Sequence, residues 1–177
     1  MTVSLVIDTA TSRTIVGIVR DREILWQSFH DGDTDHGNAV ADLVRQALTA
    51  GVNPDRVVVG MGPGPFTGLR VGIAFARAFA TARNIPVIGI CSLDAIVVDQ
   101  DEYTVAIDAR RKEIYWARYK DGIRVKGPAV NFPADVQGYV LDLFPDIARL
   151  VELSADQNYT EPFYLRRPDA VATADRR

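Results

Sequence analysis

The chain has 177 residues, a formal net charge of −3 and one cysteine. The length favours one domain of ordinary size or two small domains that share an interface. The balanced charge gives no overall attraction to nucleic acid or anionic membranes, and a single cysteine excludes an internal disulfide framework and a multi-cysteine zinc site. Neither a signal peptide nor a membrane span is found by pattern, so a soluble cytoplasmic protein is expected.

The first 100 residues follow the pattern of an α/β domain with a central mixed sheet, because strands are followed by helices and then by further apolar strands. The predicted elements, in chain order, are strands at Val3–Asp8, Thr14–Arg20 and Glu23–His30, a helix at His36–Ala50, a strand at Val57–Val59, a helix at Leu69–Arg83, a strand at Pro86–Ile90 and a short helix from Ser92 to Val98.

The second part of the chain contains a shortened repeat of the first. Val105–Ala109 matches Leu5–Thr9 at an offset of 100 residues, and Ile114–Tyr119 matches Ile15–Arg20. A repeat of this length indicates two copies of one supersecondary unit; the alternative is a chance echo, since strand–turn–strand patterns are common. The expected organisation is a first domain at 1–100, a truncated second domain at 101–169 and a disordered tail at 170–177.

Glycine and proline are concentrated between Gly60 and Gly72, after a strand and before a helix. Glycine permits close backbone approach and a helix N-terminus offers N–H groups to an anion, so one interpretation is a phosphate or carboxylate cradle. The segment lacks the Lys-Ser/Thr of a Walker motif and its prolines remove donors, so the other interpretation is a rigid, tightly packed corner. The candidate anion or nucleotide residues in this segment are Gly62, Gly64, Thr67 and Gly68.

Asp8 and Thr9 end the first strand and are further candidates for an anion or nucleotide site. A strand-end carboxylate beside hydroxyl groups can hold Mg²⁺ through water, with a phosphate nearby. The alternative is an aspartate that caps a turn by bonding its own backbone, and Asp108 stands in the same place in the second copy. His30 and His36 have no companion ligands and are expected to be surface or capping residues, so no metal site is predicted.

The predicted helix at 69–83 is apolar on two sides. On a helical projection, Leu69, Ile73, Ala76 and Ala80 fall on one side, and Val71, Phe75, Ala78, Phe79 and Ala82 fall on another. One sheet face needs only one such stripe, so the second side requires another cover. The neighbouring helix at 36–50 is one candidate for that cover, and a second protein chain is the interpretation we favour.

Arg110, Arg111 and Lys112 form a small basic cluster, and Arg166 and Arg167 form another. Such clusters are usually solvated turns, and a weak contact to RNA phosphate is the alternative. The charge balance of the whole chain gives neither cluster the support of a general basic surface.

Four segments together carry a resemblance to a known family. They are Leu5–Ala10, the glycine-rich run Gly62–Gly72, Asp108–Tyr115 and Pro162–Arg166. The chain resembles the TsaB (YeaZ) family, which supplies the small partner subunit of the bacterial machinery that makes threonylcarbamoyladenosine in tRNA. The family usually has serine where this chain has Pro65, and the second domain is shorter than usual around residues 130–139.

The resemblance implies an actin-like (ASKHA, ribonuclease H-like) fold with a mixed sheet flanked by helices, duplicated with a shortened second domain. It implies no catalysis by this chain alone, because a TsaD-type subunit performs the transfer and a TsaE-type ATPase joins the pair. ATP and metal then belong to the partner subunits, and tRNA is met through the complex. The implied pairing surface comprises Val40, Leu43, Val44, Leu48, Val71, Phe75, Ala78 and Phe79.

A small actin-like ATPase or phosphotransferase acting alone is the alternative function. Asp8, Asp108 and the glycine-rich turn motivate it, although the short second half hardly supplies an adenosine pocket. A homodimer through the same two helices is expected when the partner is absent, because pairing of two copies also removes the exposed apolar patch from water.

Overall fold

The computed structural model describes residues 1–32, 35–49 and 51–166. The tail expected at 170–177 lies outside these residues. Within the described part, the elements are strands β1 Val3–Asp8, β2 Arg13–Arg20, β3 Glu23–Asp31, β4 Arg56–Gly60, β5 Val87–Ile90, β6 Glu102–Asp108, β7 Ile114–Lys120, β8 Ile123–Asn131 and β9 Tyr139–Val140, and helices α1 His36–Thr49, α2 Phe66–Arg83 and α3 Ile147–Leu153.

The strands form two mixed sheets. The first has the order β3-β2-β1-β4-β5 and the second has the order β8-β7-β6-β9. In each sheet an antiparallel meander of three strands is extended by a parallel strand, β4 beside β1 and β9 beside β6. This arrangement confirms the predicted fold class, a duplicated α/β fold whose second copy is shorter.

The two copies share the same hairpin turn. Asp21 and Asp121 both adopt left-handed conformations, with φ of 53° and 50°, which aspartate tolerates better than most residues. Each N–H donates to the carbonyl group just before the first strand of its copy, that of Thr2 at 2.9 Å and that of Asp101 at 2.7 Å. The offset of 100 residues therefore corresponds to an equivalent backbone turn.

Helices α1 and α2 cover one face of the first sheet. The apolar residues of α1 recur at helical spacing, so its buried side chains share one face. Together with α2 and the sheet they enclose the main apolar cluster, which includes Leu5, Ile7, Val40, Leu43, Val44, Ala47, Val57, Val59, Leu69, Ile73 and Ala76.

Helix α3 covers the opposite face of the first sheet. Ile147, Leu150 and Val151 pack there with Val6 and Val58. The chain after residue 100 thus forms the second sheet and also supplies helix α3, which packs on the first sheet. The two halves of the chain therefore share a core.

Two helix boundaries differ from the prediction. Helix α2 begins at Phe66 rather than Leu69, because Pro65 with φ −56° suits a helix start and its carbonyl accepts the Leu69 N–H at 3.0 Å. The segment predicted as a helix to Val98 is only a 3₁₀ turn over Ser92–Ala95, since Ile96 returns to an extended conformation.

A buried polar network joins the two sheets at this 3₁₀ turn. The carboxylate of Asp94 accepts hydrogen bonds from the Tyr119 hydroxyl at 2.8 Å and the Gln157 amide at 3.3 Å, and lies 3.5 Å from the Arg124 guanidinium. Tyr119 and Arg124 belong to the second sheet, whereas Asp94 follows β5 of the first. Because a buried charge is stable only when its partners stay in place, the network fixes how the sheets meet.

Candidate partner-binding surface and glycine-rich corner

Asp8 is a buried turn residue rather than an exposed ligand. Its side chain is fully buried, and its Oδ1 accepts the Ala10 N–H at 2.9 Å while its Oδ2 accepts the Ser92 hydroxyl at 2.6 Å. Removal from water raises the pKa of the carboxyl from its ordinary value of 3.8 to about 6, although both hydrogen bonds act in the opposite direction. Both oxygens are therefore engaged inside the fold.

Asp108 repeats the same turn at the surface. Its Oδ1 accepts the Arg110 N–H at 2.8 Å, which matches the Asp8 bond in the first copy. Its side chain is exposed and lies 3.6 Å from the guanidinium of Arg110. The two aspartates thus have equivalent backbone roles in very different surroundings.

The pH dependence of stability is expected to reveal the buried carboxyl of Asp8. An acid with a pKa near 6 when folded and 3.8 when unfolded favours the native state only while protonated. Raising the pH from 4 to 7 should therefore cost wild type about 2.4 kcal/mol relative to Asp8→Asn, at 1.36 kcal/mol per pKa unit, because the unfolded carboxyl is already partly ionised at pH 4. Urea unfolding at pH 4, 5, 6 and 7 measures the difference.

Asp108→Asn is the matched control for this experiment, because it removes the exposed carboxylate from the equivalent position. If the free energy of unfolding changed with pH in the same way for wild type and Asp8→Asn, the pH dependence could not be assigned to Asp8.

The glycine-rich run is packed against the turn that follows β1. A Cβ at position 64 would lie 2.8 Å from the Cα of Ala10, and Gly68 lies against the ring of His36. Gly62 is buried beside Leu69. These contacts fit the rigid corner better than the anion cradle, because the space next to the glycines is already filled by the chain.

Thr9 and Thr67 are the two threonines among the predicted anion-site residues, and the structure places them in different environments. Thr9 is buried, and its hydroxyl donates to the Gly68 carbonyl at 2.8 Å. Thr67 is exposed in the first turn of α2. The hydroxyl of Thr9 is therefore committed to the corner, and only Thr67 faces solvent.

A cleft of about 430 Å³ lies between the two sheets. Its walls include Ser12 and Pro65 from the first half, and Asp108, Lys112 and Leu141 from the second. Of the described residues that line it, none belongs to the six candidates Asp8, Thr9, Gly62, Gly64, Thr67 and Gly68. This cleft does not support the anion or nucleotide assignment of those six, which remains a prediction.

His36 is a contributor to the corner that sequence reasoning missed. It was expected at the surface, but it is 6% exposed, and its Nδ1 lies 2.8 Å from the Thr14 hydroxyl. Its position at the start of α1 gave no signal of burial, because the glycine run that receives its ring comes 32 residues later in the sequence.

The outer side of α2 is an exposed apolar face. Ala74, Ala78 and Ala82 are exposed, and Val71 and Phe75 are half-buried beside them. The opposite side of the helix, which includes Leu69, Ile73, Ala76 and Ala80, is buried on the sheet. The second apolar side of the predicted helix is thus only partly covered by this chain.

Helix α1 contributes much less to that surface than predicted. Val40, Leu43 and Val44 are at most 6% exposed and pack into the core beneath the helix. Their assignment to the pairing surface is corrected: periodicity identified an apolar stripe, and that stripe faces the chain's own sheet. Leu48 is half-buried against the same core.

Phe79 in α2 is half-buried. Its ring stacks on Phe75 with centroids 6.3 Å apart, and both rings contact the main apolar cluster. The pairing surface therefore reduces to Val71, Phe75, Ala78 and Phe79 with Leu48 at its margin, and their contact with another chain remains a prediction.

Two features are absent from the residues that the structure describes. None of their helices has both the length and the apolar character needed to span a bilayer. No three or more histidine, cysteine or acidic side chains among them gather as metal ligands.

Comparisons with known proteins agree with this architecture. The family model "TsaD: tRNA N6-adenosine threonylcarbamoyltransferase" matches residues 32–170. An uncharacterized protein of Mycobacterium tuberculosis H37Rv is 44% identical over 96% of this chain and 94% of its own length. The tRNA threonylcarbamoyladenosine biosynthesis protein TsaB of Escherichia coli K12 is 31% identical over 66% of this chain and 54% of that protein.

A solved structure shares the fold. The crystal structure of a Pseudomonas aeruginosa protein with similarity to peptidase YeaZ superposes with a TM-score of 0.80, over 94% of this chain and 100% of that one, at 24% identity. The fold and the surface thus define a two-sheet α/β protein with one partly exposed apolar helix face. The chain belongs to the TsaB (YeaZ) family, within the group that the TsaD family model describes.

Proposed function

We propose that this chain is a non-catalytic partner subunit that binds and stabilises a TsaD-type enzyme in the complex that makes N6-threonylcarbamoyladenosine at position 37 of tRNA. The exposed apolar face of α2, around Val71, Phe75 and Ala78, is the observation that carries this proposal. Monomeric proteins rarely leave such a face open unless a partner covers it. The names of the TsaB relatives from Escherichia coli and Bacillus subtilis supply the reaction to which the partner would belong.

In this proposal the chemistry is carried by the other subunits in the cytoplasm. The TsaD-type subunit holds the metal and performs the transfer, a TsaE-type ATPase uses ATP, and tRNA binds the assembled complex. This chain contributes a stable surface that orients its partner. Without the partner, the same apolar face favours a homodimer.

A small ATPase or phosphotransferase acting alone is not favoured. That function needs a strand-end carboxylate that can approach a metal–nucleotide complex, but both oxygens of Asp8 accept hydrogen bonds inside the fold. The names of the curated relatives also point to tRNA modification rather than to phosphate transfer by a single chain.

Reconstitution with the TsaD-type and TsaE-type subunits of the same organism tests the proposal. We expect this chain and the TsaD-type subunit to co-elute as one complex, and threonylcarbamoyl transfer to a tRNA transcript to require both. The chain alone should transfer nothing and hydrolyse no Mg·ATP. Failure to form the complex, or transfer that does not depend on this chain, would contradict the proposed role.

A further inference from the structure

The turn between β6 and β7 has an unusual backbone. Arg110, Arg111 and Lys112 have φ of 63°, 54° and 64°, so three consecutive residues with side chains adopt the left-handed region. L-residues other than glycine, asparagine and aspartate rarely do so. The turn is also one residue shorter than its counterpart in the first copy, because Asp8 pairs with Ile15 whereas Asp108 pairs with Ile114.

The residues that occupy this turn are not those that its geometry favours. Glycine would suit each of the three positions, yet all three carry a cation. The equivalent residues of the first copy are Ala10, Thr11 and Ser12, which are uncharged. The turn thus has cationic residues at positions where the backbone conformation favours glycine. Such a departure from local conformational preference is expected where the side chains serve a function.

The turn is held firmly by its own hydrogen bonds. The Ala109 N–H donates to the Glu113 carbonyl at 2.9 Å, and the Glu113 N–H donates to the Arg110 carbonyl at 3.0 Å. Two ion pairs also brace the turn, Asp108 with Arg110 and Glu113 with Arg166. The side chains of Arg111 and Lys112 are exposed on this braced loop.

The surroundings of the turn suit a nucleic acid. Lys112 and Arg110 line the cleft between the sheets, together with the hydroxyl-bearing Ser12 and the carboxylate of Asp142. Phe132, 57% exposed, precedes a proline that lines the same cleft. Cations beside hydroxyl groups and an exposed aromatic ring are the combination that binds phosphates and unstacked bases of single-stranded RNA.

We infer that the Arg110–Lys112 turn binds the phosphate backbone of the tRNA substrate, so that this subunit contacts the RNA directly. The inference rests on the proposed function for the identity of the RNA. It extends that function, because the chain would then help to hold the substrate as well as the enzyme. An acidic surface of a protein partner is the competing ligand that the experiment distinguishes.

The test uses the complex of this chain with its TsaD-type partner and a tRNA transcript. The double variant Arg111→Gly/Lys112→Gly removes two charges and suits the left-handed backbone, and its melting temperature is measured beside that of wild type to check that it is folded. The affinity for tRNA should fall about tenfold at 0.1 M salt. The slope of log K against log salt should become shallower by about 1.5, since each lost phosphate contact contributes about 0.7 to 0.9.

Arg22→Gln/Lys120→Gln is the matched control, since it removes two exposed cations elsewhere and should leave affinity and slope unchanged. An intact complex with unchanged tRNA affinity, or an equal loss in the control, overturns the inference alone. Loss of the partner subunit from the glycine variant also overturns it, because the turn would then contact protein. No complex with the wild-type chain overturns the proposed function itself.

Discussion

Ala78→Asp is expected to abolish pairing with the TsaD-type subunit while leaving the isolated chain folded. Ala78 is exposed in the middle of the outer face of α2, so the aspartate remains solvated in the free chain and costs less than about 1 kcal/mol of stability. In a complex, the same carboxylate would be buried against apolar side chains without a partner. That desolvation should cost at least about 3 kcal/mol, which is more than a hundredfold in Kd.

Calorimetric titration of the two purified subunits measures the effect, and urea unfolding of each variant checks its stability. Ala155→Asp is the matched control: it makes the same substitution at another exposed alanine, just after α3, which packs on the opposite face of the first sheet. The control should bind like wild type. Equal affinities for Ala78→Asp and wild type would remove α2 from the interface.

Phe75→Asp provides a second position on the same face, with a different expectation. Its ring is half-buried and contacts the main apolar cluster, so this variant should lose stability as well as affinity. Because a loss of affinity at Phe75 could not be separated from a loss of stability, Ala78 is the better position for testing the interface.

Helical periodicity identified the apolar sides of α1 and α2 but not which side each helix buries in its own chain. In α2 two apolar sides were visible, and the structure buries the one with Leu69 and Ile73. In α1 the stripe of Val40, Leu43 and Val44 was assigned to a partner, yet the chain's own sheet covers it. An apolar stripe indicates that one face of a helix is buried. Which segment or which chain covers that face depends on contacts between residues that are distant in the sequence.

The fold class could be predicted because its signals are local. The strand–turn–strand repeat kept the same turn at Asp21 and Asp121, so two related sheets followed from the pattern. The return of α3 to the first sheet could not be predicted, since a short apolar helix packs equally well on either half. The network around Asp94 was missed for a similar reason: its partners come from three distant segments.

The glycine-rich run left two interpretations open, and a mutation can decide between them. Gly64→Ala is expected to lower the free energy of unfolding by about 2 to 3 kcal/mol. The new methyl group would overlap the backbone of Ala10, with its carbon 2.8 Å from the Ala10 Cα and 2.9 Å from the carbonyl carbon. The backbone of the buried turn after β1 cannot move aside as a flexible side chain could.

Gly37→Ala is the control for this substitution, because nothing lies within 4 Å of a Cβ at that position in α1. There the methyl group should raise stability, by up to about 1 kcal/mol, since alanine favours helix over glycine. Urea unfolding of both variants at pH 7 shows whether each substitution raises or lowers the free energy of unfolding. If Gly64→Ala were as stable as wild type, the space beside Ala10 would be open, and the anion cradle would again be the better interpretation of this segment.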